Sequence, residues 1–172
     1  MKFLFISLVN VFLRIYKPFF TVPTIEQAIN QKEFKNIVEK LYINILYTSG
    51  HLKRKLKDIF TPYDITSTQY NVLRILKGRH PEACHPGQIV AVMVEKMSDV
   101  TRLIDRLTIK GLTERNTCPG NRRKINIHIT EKGISLLNEI EPVMNNHFQK
   151  IQTKFSEQEL ELICSYLDRL RE

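Results

Sequence analysis

The sequence predicts a mainly α-helical fold that carries one small β-hairpin. Most of the chain has apolar residues at a 3.6-residue period, divided by helix caps, as amphipathic helices do. Two short predicted helices flank a tight turn, which is the arrangement of a helix-turn-helix. Directly after them, residues 124–130 alternate between apolar and polar side chains, the period of a half-buried strand. Together these patterns predict a winged helix-turn-helix lobe joined to a helical unit.

Length and charge narrow the class of protein. A chain of 172 residues with 42% hydrophobic and 26% charged residues can bury a core as one domain with appended helices. The net charge of +8 and pI near 9.5 favour a polyanionic partner, with nucleic acid ahead of an anionic membrane. The three cysteines are widely spaced and form no CxxC pair, so we expect a reduced cytoplasmic protein with unpaired thiols.

The first 23 residues form an apolar extension. Residues 3–13 read FLFISLVNVFL, which is well short of the roughly 20 residues that a spanning helix needs. No small-residue cleavage site follows, so a signal peptide is disfavoured. Three interpretations stay open: a start codon assigned too early, with the native start near Val22 or Thr24; an extra helix packed on a dimer; or a membrane-associating segment.

Two helices are predicted before the helix-turn-helix. Capping-box spacing at residues 24–27 opens one long amphipathic helix that runs to about Phe60, and Pro62 ends it. The same spacing at residues 66–69 opens the second helix, which Gly78 ends. The sequence therefore predicts a long helix followed by a shorter one.

The third and fourth helices form the predicted helix-turn-helix. Pro86 lies near the first turn of the third helix, residues 87–94. A break at residues 95–97 precedes the fourth helix, residues 98–110, which Gly111 closes.

A two-stranded hairpin and two more helices complete the chain. Residues 112–117 and 124–130 are the predicted strands, and residues 119–121, Pro-Gly-Asn, are the turn between them. Thr130 has the character of a cap for a fifth helix, and capping-box spacing at residues 156–159 opens the last one.

The fourth helix has one apolar and one polar face. At about 100° per residue, four apolar residues fall within a single arc that must pack inward. They are Val100, Leu103, Ile104 and Leu107. The residues that point away or flank that arc are Ser98, Thr101, Arg102, Asp105 and Arg106. Such a face fits the major groove, where an arginine can bridge guanine O6 and N7. Taken alone, it is more often a solvated helix face.

The hairpin carries an excess of cations. Arg115, Arg122, Arg123 and Lys124 stand against Glu114 alone, and three of the four cations are consecutive at the hairpin tip. Basic side chains on a thin hairpin can enter the minor groove or bind flanking phosphates. A lone basic run is usually surface charge, but this run directly follows a helix with a polar outward face. The combination predicts binding to double-stranded DNA.

These segments resemble a known family. SDVTRLIDRLTIKGLTER and NRRKINIHITEKG are similar to the recognition helix and wing of MarR-type regulators, and the match is strongest over residues 66–137. The resemblance implies a bacterial, triangular homodimer whose first and last helices interleave. It also implies a palindromic operator, usually with repression that a small-molecule effector relieves. The residues assigned to DNA binding are Ser98, Asp99, Thr101, Arg102, Arg106, Arg122, Arg123 and Lys124.

One position departs from the family pattern. The family's wing usually reads Asp-Arg-Arg, whereas this chain has Asn121 before Arg122. Asparagine suits a turn but supplies no charge to hold an arginine. We therefore hypothesise that Asp105 partly fills that role by pairing with a wing arginine.

The domain prediction follows the same division. Residues 1–23 are the extension and 24–172 the regulator domain, with residues 62–130 as the winged lobe and 24–61 plus 131–172 as dimerisation helices. Long helices with apolar stripes would expose a large patch unless they associate. The candidates for the dimer core are Leu41, Ile45, Leu52, Ile163, Leu167 and Leu170.

Other functions have weaker support. Residues 80–85 include two histidines, Glu82 and Cys84, but ligands this close in one loop seldom form a tetrahedral metal site. A thiol-based redox sensor is an alternative, with Cys118 beside the cationic wing as the best candidate and Cys164 assigned to packing. No catalytic motif is present, so we predict neither an enzyme nor a cofactor.

Overall fold

The architecture is mainly helical with one antiparallel hairpin, as predicted. The computed structural model describes residues 22–96, 99–118 and 121–171, and for Cys118 and residues 121–124 it describes the backbone alone. Within these ranges the elements are α1 (Ile25–Ile29), α2 (Ile37–Phe60), a 3-10 turn (Thr61–Tyr63), α3 (Ser67–Lys77), α4 (Pro86–Val92), α5 (Val100–Ile109), β1 (Thr113–Cys118), β2 (Asn121–Ile129), α6 (Glu131–Gln152) and α7 (Glu157–Arg169).

The chain divides into two compact units, residues 1–51 and residues 52–172. The first contains α1 and the first part of α2, and the second contains the rest of α2 and every later element. The apolar residues 3–13 lie outside the described residues, so the three interpretations of the extension stay open. Among the described helices, none combines the length and the apolar character needed to cross a membrane.

The prediction of one helix from residue 24 to Phe60 is wrong. Thr24 caps α1 through the predicted capping box, but α1 ends at Asn30, whose φ of 54° is left-handed. A new helix begins at Ile37, after Asn36, whose Oδ1 accepts a hydrogen bond from the Glu39 backbone at 2.9 Å. Asparagine tolerates the left-handed region and bonds to nearby backbone groups, so two asparagines interrupt the apolar period.

A single apolar core organises the second unit. The aromatic rings of Phe60 and Tyr70 stack with centroids 4.6 Å apart, which joins the end of α2 to α3. Strand β2, the end of α2, the helices α3 to α6 and the connections between them contribute buried side chains. The buried core residues are Phe60, Ile65, Val72, Leu73, Leu76, Cys84, Ile89, Met93, Val100, Leu103, Ile104, Leu107, Leu112, Ile127, Ile129, Leu137, Ile140 and Met144.

Local caps place the lobe's helices close to their predicted positions. Thr66 and Gln69 form the predicted capping box of α3, with nitrogen–oxygen distances of 3.1 and 3.0 Å. The fourth predicted helix starts at Val100 rather than at residue 98, because Asp99 takes the N-cap position. Gly111 follows its end with a φ of 71°, a conformation that glycine adopts without strain.

The hairpin is tied to the connection that precedes α4. β1 and β2 pair antiparallel from Thr113 opposite Ile129 to Thr117 opposite Ile125, and the register becomes irregular beyond Thr117. Cys84 exchanges two backbone hydrogen bonds of 2.9 Å with Ile127, on the far side of β2 from β1. The base of the hairpin is therefore held from both sides.

Candidate nucleic-acid interface

The turn between α4 and α5 is fixed by side chains that bond to its backbone. Asn71 Oδ1 accepts a hydrogen bond from the Val94 backbone N–H at 3.1 Å. Lys96 Nζ donates to the carbonyl oxygens of Val90 and Ala91, at 3.1 and 2.6 Å, near the carboxyl end of α4. A cation at that end of a helix is also favoured by the helix dipole. Residues 94–96, the described part of this turn after Met93, are therefore held against α3 and the end of α4.

Helix α5 presents the two faces that its sequence predicts. The apolar arc of Val100, Leu103, Ile104 and Leu107 is buried, as expected. Three polar residues assigned to DNA binding are exposed, namely Thr101, Arg102 and Arg106. Ser98 lies outside the described residues. The outward face of α5 is therefore open to solvent, and it is polar apart from Ile109 at its carboxyl end, which is 85% exposed.

Arg102 is the most prominent cation of this face. Its side chain is 81% exposed, and its Nε lies 2.9 Å from Asp99 Oδ2. Asp99 Oδ1 also accepts a hydrogen bond from the Arg102 backbone N–H at 3.1 Å, which makes Asp99 the cap of α5. Both residues were assigned to DNA binding, and both lie at the amino end of α5.

Arg106 lies one turn after Arg102 on α5, toward the flank that faces α3. It lines a shallow groove together with Thr66, Gln69 and Leu103, next to the amino end of α3. Lys110, one turn further along, pairs with Asp64 at 2.9 Å. Arg106 and Arg102 are thus cations at separate points of the same exposed surface.

A wing arginine braces α5 against the hairpin. Arg115 Nη1 lies 2.5 Å from Asp105 Oδ1, and its Nη2 donates to the Thr101 carbonyl oxygen at 3.1 Å. The Arg115 side chain is only 26% exposed, and its Nε is buried without a hydrogen-bond partner among the described residues. Asp105 thus pairs with an arginine of the hairpin, Arg115 on β1, as hypothesised. That this pair takes over the role of the family's wing aspartate stays a prediction.

Because of this ion pair, Arg115 no longer counts among the hairpin cations that could contact DNA. Arg115 was included in the free charge of the wing, but its guanidinium is bound to α5. Arg122, Arg123 and Lys124 belong to β2, and their side chains lie outside what the structure describes. Their DNA contacts stay a prediction. Sequence reasoning missed Arg115 as a positioning residue, although the Asp105 hypothesis pointed toward it.

Asp105→Asn should weaken DNA binding by about fivefold, or roughly 1 kcal/mol, because it removes the charge that holds Arg115 and with it the hairpin. Equilibrium binding to a preferred duplex at fixed salt measures this effect. Asp58→Asn is the matched control, since it removes the same charge from an exposed position of α2. Equal affinity of Asp105→Asn and wild type would contradict a role for the brace.

Cys84 and His85 take part in the packing and contacts of the connection before α4. Cys84 is fully buried, and burial raises the pKa of its thiol. His85 Nδ1 lies 3.0 Å from the Ile125 carbonyl oxygen, which joins this connection to β2. Cys164 is exposed, so its assignment to core packing within one chain is wrong. The side chain of Cys118 is outside the described residues.

The predicted dimer residues are apolar side chains on the surface of one chain. Within the first unit, α2 leaves Leu41 49% exposed and Ile45 half-buried. In the second unit, Leu52 is 40% exposed and no residue of α7 is buried. The exposed apolar residues of α7 and its C-cap are Leu162, Ile163, Tyr166, Leu167 and Leu170. A helix with most of its apolar face exposed lacks much of the packing that normally stabilises it.

Proteins similar to this chain in sequence and in structure are transcription regulators, most of them of the MarR family. The model of the MarR family matches residues 65–125. The HTH-type transcriptional regulator PecS from Dickeya dadantii (strain 3937) is 28% identical over 148 residues, which are 85% of this chain and 89% of PecS. Among solved structures, a MarR transcription factor from Planctomyces limnophilus is 32% identical with a TM-score of 0.61, over 80% of this chain and 99% of that one.

A DNA complex is also among the similar structures. A mutant MarR from E. coli complexed with operator DNA has a TM-score of 0.70 at 22% identity, over 81% of this chain and 99% of that one. At this identity the similarity is one of fold, and the fold is a winged helix.

Proposed function

Because this chain belongs to the MarR family of transcription regulators, we propose that it binds specific operator sequences in double-stranded DNA through α5 and the hairpin wing. One observation carries the proposal: the exposed polar face of α5, with Arg102 81% exposed, is braced to a hairpin by the Asp105–Arg115 pair. The similar E. coli protein was solved with operator DNA. The net charge of +8 suits a polyanionic partner.

Each structural element has a distinct role in this proposal. Thr101, Arg102 and the neighbouring Ser98 enter the major groove, where hydroxyl and guanidinium groups contact base edges. Arg122, Arg123 and Lys124 hold phosphates or the minor groove beside it. Asp99 and Arg106 complete the interface, the first at the amino end of α5 and the second on its flank.

The active form in this proposal is a homodimer. The absence of any buried residue on α7, together with the exposed apolar side chains of α2, supports association through residues 24–61 and 131–172. Residues 62–130 then form one DNA-reading lobe per subunit. Two-fold symmetry requires a palindromic operator, with recognition helices about 34 Å apart.

The proposal also includes how the protein is regulated. By resemblance to its family, the protein is a cytoplasmic repressor that an unidentified small molecule releases from DNA. The thiol-based alternative receives little support from Cys84, because burial and the raised pKa of its thiol both disfavour the reactive thiolate.

Selection from a pool of random duplex DNA tests binding, palindromy and half-site spacing together. Arg102→Ala should weaken binding to the selected duplex by about 1–3 kcal/mol and relax the base preference at one position, because the bidentate contact to guanine is lost.

Arg123→Ala should instead weaken binding to every sequence alike and flatten the salt dependence by about one unit of slope.

The control is Arg171→Ala, which removes an arginine from the end of the chain and should change neither quantity. If Arg102→Ala and Arg123→Ala both bind as tightly as wild type at matched salt, these roles are wrong. If the wild-type protein selects no sequence and ignores duplex DNA at low salt, the function is wrong.

A further inference from the structure

Asp99 uses both of its carboxylate oxygens on the same residue. Oδ1 accepts the backbone N–H of Arg102 at 3.1 Å, and Oδ2 pairs with Arg102 Nε at 2.9 Å. The first bond is the N-cap of α5, so it orients the carboxylate relative to the helix. The second bond then orients the guanidinium relative to the same helix. In the described part of the chain, neither side chain has another ion pair.

The pairing through Nε leaves the rest of the guanidinium free. An arginine side chain has five N–H donors in one plane, and the ion pair with Asp99 lies at the Nε side of the group. The remaining four lie on Nη1 and Nη2, and the Arg102 side chain is 81% exposed. Guanine offers two acceptors in the major groove, O6 and N7, so one arginine can hold a carboxylate and a guanine at the same time.

We propose that Asp99 is a positioning residue that holds Arg102 ready for bidentate recognition of a guanine. This inference rests on the proposed function, because it names the base and the residue that set its specificity. Asp99 also cancels one positive charge close to the phosphates, which lowers the affinity for DNA of any sequence. The positioning of Arg102 raises the ratio of specific to non-specific binding, whereas the lost positive charge lowers both affinities alike.

Asp99→Asn separates this role from simple helix capping. Asparagine is as good an N-cap as aspartate, so the start of α5 is kept while the charge that holds Nε is removed. We expect the preference for guanine at the Arg102 position to fall about fourfold, near the upper end for an exposed ion pair. Affinity for a scrambled duplex should rise, with a steeper salt dependence. A residue that only caps the helix would leave the guanine preference unchanged, so this preference is the quantity that tests the positioning role, whereas the other two effects follow from the lost charge alone.

A double-mutant cycle tests whether Asp99 acts through Arg102. Arg102→Ala first identifies the base position that this arginine reads, by its loss of preference in the selected pool. In the Arg102→Ala background, Asp99→Asn should then leave the base preference unchanged. If Asp99→Asn still lowers a preference in that background, Asp99 contacts a base itself, such as a cytosine amino group, and the inference is overturned.

Two further variants complete the experiment. Asp168→Asn is the matched control, because Asp168 also pairs with an arginine three residues further on, Arg171, but on α7. It should leave base preference and salt dependence unchanged. Asp99→Ser, which caps a helix but is too short to hold Nε, should repeat the effect of Asp99→Asn. Unchanged thermal midpoints of both Asp99 variants verify that α5 remains folded.

The two levels of the proposal fail in different ways. A wild-type protein that recovers no preferred sequence from the random pool refutes the proposed function. If the wild-type protein has a base preference that is lost in Arg102→Ala but kept in Asp99→Asn, only the role of Asp99 is refuted.

Discussion

Leu167→Asp is expected to convert the proposed dimer into a monomer and to weaken binding to the selected duplex by about 100-fold, the lower end of the gain from linking two binding units. Leu167 lies in the middle of the exposed apolar face of α7 and is itself 39% exposed. In a dimer this face is covered, so the substitution would bury an unpaired carboxylate. Within one chain the side chain packs little, so the fold of the lobe should persist.

Sedimentation equilibrium and duplex binding measure the two consequences of this substitution, and circular dichroism reports whether the helices remain. Ser165→Asp is the matched control, because it adds the same charge to the opposite side of α7. It should leave both the mass and the affinity unchanged. A Leu167→Asp protein that stays dimeric and binds as tightly as wild type would show that α7 is not the interface.

Gly133→Ala is expected to destabilise the protein by about 2 kcal/mol, although alanine normally favours a helix over glycine by about 1 kcal/mol. A Cβ at this position would overlap the carbonyl oxygen of Leu112 and lie 2.7 Å from Ile129 Cγ1. The Leu112 oxygen also accepts the Thr130 backbone N–H at 3.2 Å, so it has little freedom to move. The first turn of α6 therefore lies against the base of the hairpin with room for glycine alone.

Urea unfolding at a fixed protomer concentration measures this loss, because association makes stability depend on concentration. Gly87→Ala supplies the comparison, since a Cβ there has no neighbouring atom within 4 Å. That variant should be neutral or slightly more stable than wild type. Equal stability of Gly133→Ala and wild type would mean that α6 can move away from the hairpin at no cost.

Much of the fold could be predicted from spacing along the chain. The capping boxes at Thr24, Thr66 and Ser156 are present, because each joins groups only three residues apart. The alternation of Ile125, Ile127 and Ile129 predicted a strand for the same reason, since period and face are local properties of the backbone. The family resemblance, read from residues 98–115 and 121–133, is supported by an independent match to residues 65–125.

The candidate site was predicted only in part. The polar face of α5 follows from its apolar arc, and Arg102 is exposed as expected. The role of Arg115 was not foreseen, because sequence spacing cannot show which way a strand residue points relative to a helix ten residues earlier. Asp99 was assigned to DNA binding with no partner of its own, whereas the structure pairs it with Arg102.

By itself, then, the sequence determined most of the helical segments apart from the break between α1 and α2, where most helices are capped, which side of each is apolar, and the excess of positive charge. Hydrogen bonds within one turn and periods of two or 3.6 residues decide these features locally. Only the tertiary structure decided that Arg115 joins Asp105, that Cys84 is buried, that Gly133 has no room for a methyl group and that α7 buries nothing within one chain. Those facts depend on how separate elements pack, and packing brings together residues that no local period relates.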